Sequence, residues 1–152
     1  MQKTRSVSAI IAGTVIDHIP AGTALTIMHL LRILTHQYSI TLGLNLNSHR
    51  LSLKDLIKIE GRILNASERD QVALFAPKAT VNVINNGVVA QKIKLKLPQQ
   101  IHAVFPCPNP HCCTGFEMKY SHFFISEFHK KILLTCHYCE QRFEREQLKT
   151  SI

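Results

Sequence analysis

Residues 79–94 read ATVNVINNGVVAQKIK, and this stretch decides the fold of the first two thirds of the chain. Residues 79–84 alternate as a strand, with Val81 and Asn82 on opposite faces. Asn85-Asn86-Gly87 is a hairpin signal, because Asn and Gly tolerate positive φ. Residues 88–94 return as a second strand. Antiparallel pairing is therefore the expected rule of this segment.

Upstream, residues 67–76 read as a helix. Ser67, with Asp70 three residues later, looks like its N-cap, and Pro77 stops it. Residues 53–60 (LKDLIKIE) and 38–46 (YSITLGLNL) alternate as strands. Residues 21–34 place Ala24, Leu25, Ile27, Met28, Leu31 and Leu34 at helical spacing, with Pro20 in the first turn. Its apolar residues occupy more than one face, so a second copy of the chain is the expected cover for one of them. Residues 6–19 (SVSAIIAGTVIDHI) read as two short strands or one bent strand. Two helices amid antiparallel strands predict an α+β, ferredoxin-like sandwich with both helices on one sheet face. Residues 95–100, containing Pro98, read as a linker.

Beyond it the chemistry changes. All five cysteines lie in the last third, as Cys107-x4-Cys112, the adjacent Cys113, and Cys136-x2-Cys139 after 23 residues. Two close pairs on separate knuckles can converge on one tetrahedral ion, and thiolates suit zinc. Residues 98–152 are expected to form a small all-β zinc-binding domain, with residues 1–97 as the other domain. So short a segment has a thin core and depends on its metal for folding. A redox role for Cys136-x2-Cys139 is the rival reading, but it lacks a βαβ context. Four thiolates leave no open position for a catalytic zinc. His111 and His137 adjoin the cysteines as alternative ligands or exposed knuckle residues, and Cys113 reads as a spare thiol.

The 152 residues are 45% hydrophobic and 18% charged, which excludes a disordered chain. The net charge is +8, and residues 1–101 carry 12 Lys or Arg against 5 Asp or Glu. The zinc segment is nearly neutral, with 6 against 5. An anionic partner is expected at the first segment. Lys54 and Lys58, and Lys92, Lys94 and Lys96, share strand sides. They read as solvated edge lysines or as a groove for phosphates. Asp17-His18 reads as a structural loop pair or a ligand pair. There is no GxGxxG, no Walker A motif and no convincing catalytic constellation, so an enzyme is not expected. The longest apolar helical run contains His29 and Arg32 and cannot span a bilayer. A cytoplasmic protein with no membrane partner is the default.

These residues carry a family resemblance. Gly13-Thr14-Val15-Ile16-Asp17-His18-Ile19-Pro20 resembles the start of the regulatory chain of aspartate carbamoyltransferase. So do Gly43-Leu44-Asn45-Leu46, Lys54 through Glu60, Ala76-Pro77, Ala79 through Asn82, and the four-cysteine spacing. The resemblance runs from about residue 7 to 145. It implies an N-terminal allosteric domain that pairs as a homodimer and a zinc domain that docks on catalytic trimers. The implied holoenzyme has six catalytic and six regulatory chains and makes carbamoyl aspartate for pyrimidine synthesis. The implied effectors are CTP as inhibitor and ATP as activator, with UTP beside CTP in some members.

Carried over by position, Asp17 and Lys58 contact ribose, and His18 and Lys92 contact phosphate. Asn82 and Val89 lie near them, and Ala9, Ile10 and the Gly87 region recognise the base through backbone groups. Asn109, His111 and Glu140 are the implied contacts with a catalytic chain. The sequence departs from the family pattern at Ser8, at Ile11-Ala12 and at Gly87. The competing expectation is a zinc-ribbon nucleic-acid-binding protein. Against it, a ribbon that grips phosphates would be basic, and nucleic acid is not the expected partner.

Overall fold

A computed structural model describes residues 9–148. The elements run β1 (Gly13–Pro20), α1 (Ala24–Leu30), β2 (Ile40–Ser48), β3 (Ser52–Glu60), α2 (Ala66–Phe75), β4 (Thr80–Asn85) and β5 (Val88–Lys94). They continue as β6 (Gln100–His102), β7 (His122–Phe128), β8 (Lys131–Cys136), β9 (Arg142–Glu144) and α3 (Arg145–Leu148). The first sheet has the order β2-β3-β1-β4-β5 and the second β6-β7-β8-β9, with every pairing antiparallel. Strands β1 to β4 with α1 and α2 make the expected ferredoxin-like βαββαβ arrangement, and β5 extends it.

The hairpin of residues 79–94 forms as expected. Asn86 and Gly87 have φ of 50° and 75°, and both belong to the left-handed region that a two-residue turn requires. Beside that turn β1 begins at Gly13, whose φ is 137°, and a Cβ there would collide with the Ile59 carbonyl. Only glycine lets β1 approach β3 so closely.

Four expectations need correction. First, α1 is shorter than residues 21–34. Pro20 ends β1, paired with Lys54, instead of opening a helix. Gly22 turns the chain at φ 86°, and Arg32 at φ 52° halts the helix after Leu31. Second, the N-cap of α2 is Asn65, not Ser67. Asn65 accepts the Glu68 N–H, and the Glu68 carboxylate accepts the Asn65 N–H, a reciprocal capping box. Third, strand geometry within 6–19 begins only at Gly13, and residues 6–8 lie outside the described residues. Fourth, the linker is shorter, because Gln100 already pairs with Phe124 in β6. The second domain closes its four-stranded sheet with the single helical turn α3.

The helix-facing side of the first sheet carries Ile16, Ile57, Ile59 and Val81, all essentially inaccessible, against Ile27, Met28, Val72 and Phe75. This core continues into the second domain. Phe75 meets Phe105 edge-on, with centroids 6.2 Å apart. Arg145 reaches back to the Leu74 carbonyl at 3.0 Å and lies over the Phe75 ring. The two sheets therefore share a packed boundary.

Asp55, fully buried on β3, ties three elements together. One oxygen accepts the N–H groups of Gly22, Thr23 and Ala24 at 2.9–3.2 Å, where α1 begins. The other accepts Asn45 N–H at 3.0 Å, where the β2–β3 pairing shifts register. A carboxylate at a helix N-terminus satisfies donors that have no partner within the helix. Here that carboxylate comes from a residue more than thirty positions away, so sequence reading missed it.

Candidate functional site

The four-sulfur centre is built from two loops. Cys107 and Cys112 lie on a turn held by Cys112 N–H to the Asn109 carbonyl and Gly115 N–H to the Cys112 carbonyl. Cys136 ends β8 and Cys139 follows, with Glu140 N–H closing onto the Cys136 carbonyl. The four Sγ atoms all lie within 4.8 Å of one another. Cys107–Cys139 is 3.7 Å and Cys112–Cys136 is 3.8 Å. A tetrahedral zinc with bonds of about 2.3 Å requires sulfur–sulfur edges of about 3.8 Å. The observed edges therefore fit one structural zinc held by Cys107, Cys112, Cys136 and Cys139.

Burial pushes the Cys107 and Cys136 thiols up. Burial also opposes ionisation of Cys112, but the Thr114 hydroxyl and backbone N–H outweigh it and bring that thiol down to about 6. The Thr114 hydroxyl sits 3.2 Å from its sulfur. Held by these four thiolates, a zinc ion would cross-link the two loops and leave no open position for catalysis. Cys113 is exposed and outside the sulfur cluster. His111 and His137 also stand outside it: His111 N–H bonds the Asn109 side chain, and the His137 ring lies against His122.

The second feature is the sheet face opposite the helices. The register places Lys58, Val15, Asn82 and Lys92 in one row across β3, β1, β4 and β5. Next to this row, two residues of β1, Asp17 and His18, face one residue of β3. Such a bulge re-aims side chains, and His18 has φ 59°. Asp17 accepts the His18 backbone N–H at 2.7 Å and pairs with the Lys54 ammonium at 2.8 Å. Burial raises the Asp17 carboxyl, but the Lys54 and His18 contacts prevail and hold it below its ordinary 3.8. Burial lowers the His18 imidazole below 6.5. The Asp17 charge opposes that fall, and Lys54, Arg50 and Lys92 add to it. His18 Nδ1 is buried without a partner.

Val89 joins the same face through a second irregularity. Val83 pairs with Gln91 while Ile84 pairs with Val89, so Ala90 is the extra residue. At the far end of β1, Gly87 N–H bonds the Ile11 carbonyl at 2.8 Å. The hairpin turn is thus tethered beside Ala9 and Ile10, of which Ile10 is buried and Ala9 exposed. Ser8 lies outside the described residues. Lys54 and Arg50 join the charge cluster although the resemblance gave neither of them a role at the site. The register that brings them there depends on the bulge at Asp17-His18, which the one-strand alternation does not reveal.

No helix among the described residues is long and apolar enough to cross a membrane. Two family models match the chain. That for the aspartate carbamoyltransferase regulatory chain, allosteric domain, covers residues 5–96. That for the same chain's metal binding domain covers residues 99–149. Among similar proteins, the aspartate carbamoyltransferase regulatory chain of Neisseria gonorrhoeae is 46% identical over 143 residues, 94% of each chain. That of Chromobacterium violaceum is 44% identical over 146 residues, 96% of each. That of Tolumonas auensis is 46% identical over 145 residues, 95% of this chain and 94% of its own. The zinc-ribbon nucleic-acid reading is not favoured by these matches. The chain belongs to the family of aspartate carbamoyltransferase regulatory chains, and as a regulatory chain it acts through a separate catalytic chain, not as a catalyst itself.

Proposed function

We propose that the open face of the first sheet binds CTP and ATP, with UTP as a further pyrimidine effector, and passes their effect to catalytic chains. The observation that carries this reading is the row Lys58–Val15–Asn82–Lys92 beside Asp17-His18. An apolar, backbone-rich end at Ala9, Ile10 and Gly87 suits a base. A cationic end suits a triphosphate, and lysines serve it as mobile point charges. The His18 imidazole stands among Lys54, Arg50 and Lys92 at the cationic end. Asp17 and Lys58 take the ribose, Lys92 joins His18 at phosphate, and Asn82 and Val89 flank them. Residues 1–97 act as the effector domain and residues 98–152 as the docking domain. The rims of the zinc loops, with His111 and Glu140 exposed and Asn109 half-buried, meet the catalytic chain. Regulatory chains pair through their first domains, and six assemble with six catalytic chains in the cytoplasm, where thiolates stay reduced.

An effector changes activity only through different affinities for two quaternary states, and couplings of roughly 1–3 kcal/mol suffice. The test is calorimetric titration of the zinc-loaded full chain with CTP, ATP and a short mixed-sequence RNA at two salt concentrations. Saturable CTP and ATP binding, lost in Lys92→Ala and stronger than RNA binding, is the expected result. Steeply salt-dependent RNA binding without a response to free nucleotide would overturn it.

A further inference from the structure

A polar cleft lies between the two domains, apart from the effector face. It has a volume of about 440 Å³, within the range of small-molecule sites. The first domain supplies the end of α1, Arg32, Arg62 and the exposed turn of α2 bearing Glu68. The second supplies Val104 and Met118-Lys119.

The charges in this cleft do not cancel. Glu68 is fully engaged: one oxygen holds the Arg62 guanidinium and the other the Asn65 N–H of the capping box. Arg62 is held in turn over the Tyr38 ring, 5.4 Å from its centroid. That pair neutralises itself. Arg32 and Lys119 remain, one from each domain, and neither has an acidic partner among the described residues. Lys119 rests over the exposed Tyr120 ring, 4.7 Å from its centroid. The lining also includes the apolar residues Leu31, Val104 and Met118. Two non-glycine residues in the left-handed region, Arg32 at φ 52° and Ala103 at φ 58°, line the cleft.

We propose that this cleft binds an aliphatic dicarboxylate that bridges the two domains. Arg32 receives one carboxylate in bidentate fashion and Lys119 the other as a point charge, with the methylene chain on the apolar wall. A dicarboxylate carries one charge at each end, one for each cation, whereas inorganic phosphate places all its charge at one centre. Because each domain supplies one cation, occupancy holds their relative position. The ligand would thus act on the boundary that any effector signal must cross. The inference goes beyond the nucleotide reading and does not depend on it.

The experiment is titration of glutarate, and separately of inorganic phosphate, into the zinc-loaded full chain at low ionic strength. The expected result is one saturable glutarate site per chain. It weakens about tenfold or more in Arg32→Gln and in Lys119→Gln, weakens less in Arg32→Lys, which keeps the charge but loses the bidentate fork, and is unchanged in Lys92→Ala. Thermal unfolding of each variant shows whether it keeps its fold. The proposal is overturned by absence of saturable glutarate binding, by equal affinity in folded Arg32→Gln and Lys119→Gln, or by phosphate binding as tightly. Loss of binding in Lys92→Ala would assign the site to the effector face, and that too would overturn it.

Discussion

The zinc centre and the open sheet face are two ways of assembling a site, and they differ in what they need from the rest of the fold. The centre draws its four groups from two short loops, 107–112 and 136–139, whose spacing is already set along the chain. The face draws Lys58, Asn82, Lys92 and the Asp17-His18 bulge from four strands, and only the strand register brings them together. A metal can organise the first directly. The second exists only if the whole sheet is correctly paired. Perturbations should separate the two accordingly.

The largest effect is expected from removing zinc. Structural zinc sites contribute on the order of 10 kcal/mol or more to folding in small domains. Chelation, or Cys136→Ser, should unfold the second sheet. The first sheet should survive with lowered stability, since Phe105 and Arg145 no longer cover Phe75. Native-state hydrogen exchange reads both. Full protection of β7 and β8 after chelation would mean that the thin core suffices without metal, and the contrast drawn above would fail.

Next is Asp55→Ala, the mirror image of that experiment. It leaves four backbone N–H groups without their buried acceptor. A loss of about 3–5 kcal/mol is expected, the scale for breaking a buried, charge-assisted network. In urea the first domain should unfold early while zinc stays bound, as a thiolate–metal absorption band in cobalt-substituted protein would report. Simultaneous loss of both would show that the shared core makes the domains one cooperative unit.

The contrast also governs how much was legible in the sequence. The cysteine spacing identified all four thiols of the cluster, because a metal's demands are local and chemically narrow. The Asn-Gly turn and the strand periodicity yielded the ferredoxin-like order. The boundaries of α1 were not legible: the apolar spacing from Leu25 to Leu34 continues past the stop, which is imposed by the left-handed backbone at Arg32. Nor was the role of Asp55, which looks like any polar residue in an alternating strand. Lys54, read as a possible groove lysine, is committed to Asp17 by a bulge that alternation cannot express. The misplaced cap of α2 has a different origin. Ser67 and Asp70 match the cap spacing as well as Asn65 and Glu68 do, and the helix starts at the pair whose carboxylate also anchors Arg62.

That assignment sharpens into a smaller prediction. Asn65→Ala should cost about 1 kcal/mol, the usual worth of an N-cap, whereas Ser67→Ala should be close to neutral. Chemical denaturation of the two variants compares them directly. Equal losses would return the cap to Ser67.

The smallest effect is a pH dependence at the sheet face, and its sign follows from the imidazole. Burial and the neighbouring cations hold His18 below its ordinary 6.5 in the folded chain. The unfolded chain therefore binds more protons than the folded one between that lowered value and about 6.5. Stability contributed by His18 is complete above that window and falls as pH drops through it. A triphosphate reverses the balance, because phosphate beside the ring favours the imidazolium. Effector binding should then take up a proton, strengthen from pH 7.5 to 6, and shift the His18 ring resonances toward the protonated form on NMR titration. His18→Gln should remove that pH dependence and leave the zinc centre untouched. The Asp17 carboxyl, held below 3.8, stays ionised throughout this range and contributes no slope of its own. If affinity for CTP were flat with pH while binding still required Lys92, then His18 would lie beside the phosphates without touching them, and the bulge would serve the strand pairing alone.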